Sequence, residues 1–487
     1  MSQAASIQSP DIASPEHFDV LIVGAGISGI GGAVHLKQQL PGKSFAILEN
    51  QEGFGGTWKT HTYPGIRSDS DLYTFGYRFK PWTGAPIATA DAILDYMGEV
   101  IEEHRLDDHI RFGHEVRSAH WSSEDGLWTL TAERLDTGEE VVFTCSFLWM
   151  CQGYYRHSKG YTPDWPGMDR FRGPIVHPQT WPEDLDYNGK KVLVIGSGAT
   201  AATIIPAMAD DCEHITMLQR SPTYFAPGEN RNELADMLRE LDIPEEWIHE
   251  IVRRRILADM KEITRRSFEA PEGLREELMA GARAYLGDDF DVDTHFNPSY
   301  RPWQQRLAFI PDGDLFQGIR AGKASVVTDQ IETFTENGVL LESGREIEAD
   351  IIITATGFEL CVLGDIAFDL DGEPLDFAET TTWRGMLFSG VPNMCWVFGY
   401  LRTSWTMRAD LIADFVCRLL GHMDEKGVDV VRPELRPDEQ DMERRPWVEP
   451  ENFNAGYLTR SLHLLPKQGT HLPWLHTQDY YVDKDDI

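Results

Sequence analysis

Two short apolar runs, each closed by a glycine-rich turn, constrain this chain more than any other feature. Phe18 to Val23 leads into Gly24-Ala-Gly26-Ile-Ser28-Gly29, and Val192 to Ile195 leads into Gly196-Ser197-Gly198-Ala199-Thr200-Ala201. A run of this length ending in glycine reads as a buried parallel strand. The glycines serve a tight turn, a close backbone approach to a pyrophosphate, and close packing of the next helix on the strand. The N–H groups that open that helix then face the phosphates. Alanine is allowed at the third position, as at Ala201. Two such units imply an α/β chain built on two Rossmann-like dinucleotide-binding domains.

The residue that ends the second strand of each unit separates their ligands. After a helix over about Ile27 to Gln39, the first unit continues as Phe45-Ala-Ile-Leu-Glu49. Glu49 lies near the position, about 20 residues past the loop, where a carboxylate accepts hydrogen bonds from an unphosphorylated ribose. In the second unit Ile215 to Gln219 runs into Arg220-Ser221. A carboxylate there would repel a 2′-phosphate, whereas a guanidinium pairs with it bidentately. Such charge-assisted bonds contribute roughly 1.5–3 kcal/mol, which favours NADPH over NADH by roughly ten- to a hundredfold. A solvated strand-end arginine is the competing account. Opposite ribose signatures point to one FAD and one NADP.

Composition removes several function classes. The 487 residues suffice for two or three domains. A net charge of −35 argues against nucleic-acid partners and anionic membranes. The six cysteines form no C-x-x-C pair and no metal-ligand spacing, so no metal site is expected and they read as reduced core residues. Met1 to His17 has neither a basic nor an apolar leader region, and the longest apolar stretches are broken by glycine. A cytoplasmic protein without an integral membrane segment is expected.

Between the loops lies Phe171-Arg-Gly173-Pro-Ile-Val-His177-Pro-Gln-Thr-Trp181-Pro182. Upstream, Gly55-Gly56-Thr57-Trp58 is followed by Tyr63-Pro-Gly-Ile-Arg67-Ser68-Asp69-Ser-Asp71. Two glycines before Thr-Trp suit a backbone passing beneath a flat isoalloxazine, with an ordinary turn as the competing account. Taken together, F-x-G-x-x-x-H-x-x-x-W-P, G-G-T-W and Y-P-G-x-x-x-D resemble the Baeyer–Villiger monooxygenases, class B flavoproteins that insert oxygen beside a carbonyl. The resemblance covers nearly the whole chain. Met217-Leu-Gln-Arg-Ser-Pro-Thr-Tyr224 and Ser404-Trp405-Thr406 are most similar to the ethionamide-activating subgroup.

The resemblance implies FAD and NADPH as cofactors, O2 as co-substrate, and a small-molecule ketone, sulfide or thioamide as substrate. Ketones would give esters or lactones, and sulfur would be oxygenated. It places FAD on Gly24, Gly26, Ser28, Gly29, Glu49, Gly56, Thr57, Trp58 and Asp69, and on the backbone of Val116. NADP falls to Arg67 and Ser68, to Gly196, Ser197, Gly198, Ala199, Thr200 and Ala201, and to Arg220 and Ser221. The catalytic set is Arg306, Asp69 and His177. Arg306 meets an anionic peroxide, with Arg301 as its rival. Asp69 holds the guanidinium, and His177 acts as an orienting or hinge residue. The chain departs from the family at Gln305, where lysine is common, and from the subgroup at Leu401-Arg402, where smaller neutral residues are usual.

The expected division is an FAD domain over residues 1–150 and 351–487, an NADP domain over 151–227 and 301–350, and a helical insertion over 228–300. That insertion either shapes the substrate cavity or simply presents solvated helical faces. The acidic, aromatic-rich stretch beyond Pro433 suggests no role, and oligomeric state is not legible. A flavin-containing monooxygenase restricted to soft nitrogen and sulfur would share both loops but has no need of Arg306. A disulfide reductase requires a redox dithiol, and an NADP sensor has no use for a flavin site.

Overall fold

A computed structural model describes residues 15–487. Residues 1–14, most of the segment expected to lack a leader, lie outside the described residues.

The first domain is organised on a nine-stranded sheet. Its centre is the parallel strand Glu16–Val23, flanked by Phe45–Leu48 and Glu139–Met150. The long strand Glu139–Met150 forks. Its first half pairs antiparallel with Leu127–Arg134, and Leu148 to Met150 take Met394–Trp396 as a parallel neighbour. The second domain carries five parallel strands in the order Ala324–Thr328, His214–Gln219, Lys191–Ile195, Ile351–Thr354, Ile175–Val176. Both nucleotide loops follow central strands, at the carboxyl edge where open parallel sheets bind ligands. Their first glycines are obligatory. A Cβ on Gly24 (φ +103°) would lie 2.6 Å from the Cys151 carbonyl oxygen, and one on Gly196 (φ +129°) would lie 2.2 Å from that of Ala355.

One domain boundary differs from expectation. Residue 351 does not begin the return to the first domain, because Ile351–Thr354 sits inside the second sheet. All four residues of that strand are buried, and an apolar run of this kind is stable only where both faces are covered. The return comes just after Gly357. There Phe358–Leu360 pairs antiparallel with the outgoing strand Tyr155–Gly160, so the two interdomain connections run side by side.

The insertion bridges the domains. Ile248 and Val252 of the helix Glu245–Glu269 join the core of the first domain, while Met279, Ala282 and Leu286 of Pro271–Leu286 join that of the second. The docking is polar as well. Arg253 donates to the carbonyls of Tyr73, Thr74 and Gly76 at 2.9–3.1 Å. His249 Nδ1 accepts from the Trp82 N–H at 3.2 Å, and its Nε2 donates to the Tyr77 carbonyl at 3.3 Å. Burial, reinforced by the charge of Arg253, pushes this ring down to about 4 from an ordinary 6.5. The folded state therefore binds the proton less readily than the unfolded chain. Its stabilising effect is complete above pH 6.5 and is expected to be lost as the pH falls from 6.5 towards 4. Acid unfolding followed by tryptophan fluorescence should show a shallower slope over that range in His249→Gln. An unchanged slope would remove His249 from the acid response.

Among the described residues no helix is long and apolar enough to cross a membrane. All six cysteines are free, and five are buried.

Candidate active site

A cavity of about 730 Å³ opens between the domains, lined by both nucleotide loops and both connections. On the first-domain side Gly24, Gly26, Ser28, Gly56, Thr57, Trp58, Asp69 and Val116 border it. Gly26 and Gly56 face one another as bare backbone. A Cβ on Gly26 would stand 3.8 Å from the Gly56 Cα, so side chains there would narrow the slot. Glu49 closes its end, accepting from the N–H groups of Ala25 at 2.7 Å and Gln51 at 2.9 Å. Burial raises the Glu49 carboxyl against those bonds. A bare-backbone cradle ending in a buried carboxylate fits the pyrophosphate and ribose of FAD. Gly29 does not border the cavity. It is the packing glycine, with its would-be Cβ 1.9 Å from the Gly24 carbonyl.

On the other side Gly196, Ser197, Gly198, Ala199, Thr200, Arg220 and Ser221 line the same space. Two residues expected here are absent from it. Ala201 is fully buried against the second sheet, because it faces inward from the first turn of the helix Ala199–Met208. Ser68 is buried behind its loop, where its Oγ accepts from the Ala88 N–H at 3.3 Å. Arg67 does border the cavity, but its guanidinium is taken up by Asp314 at 2.5 and 3.3 Å and by the Ala202 carbonyl at 3.4 Å. That set ties the Tyr-Pro-Gly loop to the second domain.

Arg306 and Asp69 meet where the two halves join. Arg306 Nε donates to one Asp69 oxygen at 2.8 Å and Nη2 to the other at 2.7 Å. Further bonds run to Ser70 Oγ at 3.2 Å and the Leu401 carbonyl at 3.3 Å. Burial alone would raise the Asp69 carboxyl and lower the guanidinium, but the pairing outweighs it. Asp69 is held below the usual carboxylate range and Arg306 is raised. About a third of each side chain stays exposed, 34% and 29%, and both border the cavity. Arg301 is excluded from this role. It lies over the Phe268 ring at 3.9 Å and donates to the carbonyls of Glu451 and Asn452, away from the cavity. The subgroup departure divides likewise, since Leu401 borders the cavity while Arg402 turns towards the Trp303 carbonyl.

His177 also lies outside this cavity, although it was grouped with the catalytic residues. Its Nε2 donates to the Gly357 carbonyl at 3.1 Å, and its Nδ1 accepts from the Gln179 N–H at 3.2 Å. The ring fills the space a side chain at residue 160 would need. It therefore clasps both interdomain connections, with burial keeping it neutral. Phe171 and Trp181 pack on opposite faces of the second sheet around its edge strand. The whole Phe-to-Trp segment is a domain joint.

Sequence reasoning missed a tyrosine group. Tyr154 donates to the Tyr155 hydroxyl at 2.7 Å and stacks on Trp405 at 4.9 Å, while Tyr457 stands 5.6 Å from Tyr155, ring to ring. Burial pushes all three phenols up, so they remain neutral donors. Tyr154 and Tyr155 follow the end of a central strand, a signal that was available; Tyr457 has none. No residue from 224 to 304 borders the cavity, so the insertion does not shape it.

Residues 86–231 match the model of the flavin-binding monooxygenase-like family, and residues 22–82 match an NAD(P)-binding Rossmann-like domain. The crystal structure of cyclohexanone monooxygenase bound to ε-caprolactone superposes with a TM-score of 0.71 at 23% identity, covering 87% of this chain and 90% of that one. Oxidised steroid monooxygenase bound to NADP gives 0.70 at 25% identity, with 87% and 88% covered. The FAD-containing monooxygenase EthA of Mycobacterium tuberculosis is 47% identical over 470 residues, 96% of this chain and 94% of its own. That likeness spans 96% of this chain, and the chain belongs to the EthA-type FAD-containing monooxygenases, flavoenzymes that use NADPH.

Proposed function

We propose that this enzyme is a Baeyer–Villiger monooxygenase that converts small ketones to esters or lactones and also oxygenates the sulfur of sulfides or thioamides. The balance is ketone, O2, NADPH and a proton giving ester, NADP+ and water. The observation that carries this reading is the Arg306–Asp69 pair at the junction of the two nucleotide loops. FAD, reduced by NADPH, supplies the activation of O2 that side chains cannot.

Glu49 and the Gly26–Gly56 slot would hold the adenosine and pyrophosphate of FAD, and Val116 would contribute to the adenine end. The second loop and Arg220 would hold NADP. Arg306 presents fixed positive charge to the oxygen on which negative charge develops during transfer, in a site partly closed to water. Asp69 keeps that guanidinium flat and in place through two parallel bonds. The Tyr154, Tyr155 and Tyr457 hydroxyls and Leu401 form the wall that a carbonyl or thiocarbonyl substrate meets. His177 is a positioning residue that sets how the two domains face each other across the connections. The two sheets support assigning FAD to the first domain and NADP to the second, with residues 228–300 as a brace. Oxygenation confined to soft nitrogen or sulfur leaves the Arg306–Asp69 pair without a task.

The purified protein is expected to be yellow and to release FAD, not FMN, on denaturation. Incubation with NADPH, O2 and a panel of ketones and sulfides should yield esters and sulfoxides by gas chromatography with mass detection. A protein that stays colourless after reconstitution with FAD would end this reading.

A further inference from the structure

Arg460 lies in the stretch beyond Pro433 for which the sequence suggested no role. It belongs to the short helix Gly456–Ser461 and borders the same cavity as the second nucleotide loop. Its guanidinium lies over the Tyr161 ring at 3.5 Å, and its Nη2 donates to the Phe358 carbonyl at 3.3 Å. Tyr161 follows one interdomain connection and Phe358 begins the other. The side chain is therefore anchored on both, and its Nε and Nη1 carry no bond among the described residues. Arg220 borders the same space from the end of His214–Gln219. Burial lowers the Arg460 guanidinium, and the charge of Arg220 adds to that effect. Among the described residues neither guanidinium forms an ion pair. Glu359, the acidic group facing Arg460, is engaged by Arg156 at 3.5 Å and Lys159 at 3.3 Å.

Two cations that border one cavity and lack an ion-pair partner repel each other, and the arrangement becomes favourable when an anion lies between them. A net charge of −35 makes local positive charge the more necessary for an anionic ligand to enter. A phosphate monoester carries close to two negative charges, roughly −1.5 to −2 at pH 7, more than one guanidinium matches. We propose that Arg460 is a second coenzyme-binding residue, which with Arg220 grips the 2′-phosphate of NADP. The C-terminal tail is then part of the coenzyme site. This inference rests on the reading of Arg220 as the primary 2′-phosphate contact.

The test is direct binding of NADP+ and NAD+, which differ only in the 2′-phosphate, to the oxidised FAD-loaded enzyme by isothermal titration calorimetry. Arg460→Gln should weaken NADP+ by about ten- to a hundredfold and leave NAD+ within about twofold. Arg460→Lys should fall between, because it keeps the charge without the flat fork. FAD content and the far-UV circular dichroism of each variant establish that it is folded. Equal weakening of both nucleotides, or of neither, in Arg460→Gln would overturn the inference and leave Arg460 as a pin for the tail. Arg220→Ala separates the two claims. A selective loss there with none in Arg460→Gln sinks this inference alone, whereas no selective loss in either variant sinks both.

Discussion

Replacing Arg306 with alanine is expected to abolish ester formation while NADPH oxidation continues, the oxygen consumed appearing as hydrogen peroxide. The reason is where the guanidinium stands. It is the group held by a paired carboxylate at the meeting point of both nucleotide loops, and it carries its charge at any working pH. A fixed charge of this kind acts on the step in which negative charge grows on oxygen, not on nucleotide binding. Loss of one such contact typically costs about 2.7–4 kcal/mol, or roughly a hundred- to thousandfold in rate. FAD content should be unchanged, and reduction by NADPH should persist, though more slowly. Asp69→Ala should show a milder form, since Asp69 positions the guanidinium through two bonds without meeting the reacting oxygen. Product yield and peroxide, measured against NADPH consumed, decide the matter. A normal ester yield per NADPH in Arg306→Ala would remove the residue from the oxygen-transfer step, and Arg301 could not inherit the role, because it lies on the far side of the Gln304-Gln305 turn against Phe268.

The largest expected effect on stability lies far from the chemistry. Arg408, fully buried in the helix Trp405–Lys426, pairs with Asp483 of the last helix and donates to the Arg384 carbonyl. Asp483 also accepts from the Tyr400 hydroxyl at 2.7 Å and from Thr477. Asp483→Ala would leave a guanidinium in the interior without its counter-charge, which costs about 3–5 kcal/mol. Replacing both partners by apolar residues, as in Arg408→Met with Asp483→Leu, should recover most of that loss, since the desolvation of both charges disappears with the pair. Hydrogen exchange provides the local readout. Amides of Tyr480–Asp486 should lose protection in Asp483→Ala before the two sheets do. Protection within about 1 kcal/mol of the parent would mean that the pair is wetter than its burial indicates.

What could be read from the sequence alone were the features whose partners are close along the chain. A strand, a glycine turn, a helix and the strand-end residue expected to select a ribose span about 30 residues in each nucleotide unit, so the pattern is local even though Cys151 and Ala355 pack on the first glycines. The placement of the two loops, and of Glu49 and Arg220 at strand ends bordering the cavity, was therefore legible, as were the helix Ile27–Gln39 and the strands beside the loops. Neighbours within those motifs misled where direction matters. Ser68 stands beside Arg67 and Ala201 beside Thr200, yet each turns away from the cavity because successive residues of a strand-like loop or a helix face different ways. The boundary at 351 failed for a related reason, since an apolar run does not say which of two sheets will cover it.

The rest belonged to the tertiary structure. Arg301 and Arg306 are equivalent in composition and context, and only Asp69, 237 residues earlier, separates them. Whether His177 reaches the reacting centre or the joint depends on Gly160 and Gly357, one from each connection. The tail is the extreme case. Tyr457, Arg460 and Asp483 sit in no motif, and their partners Tyr155, Tyr161 and Arg408 lie on segments made earlier in the chain. A side chain whose role is set by a partner tens to hundreds of residues away leaves no periodicity or spacing in its own neighbourhood. Its function comes into being only when burial brings the two together and removes the water that would otherwise satisfy each alone.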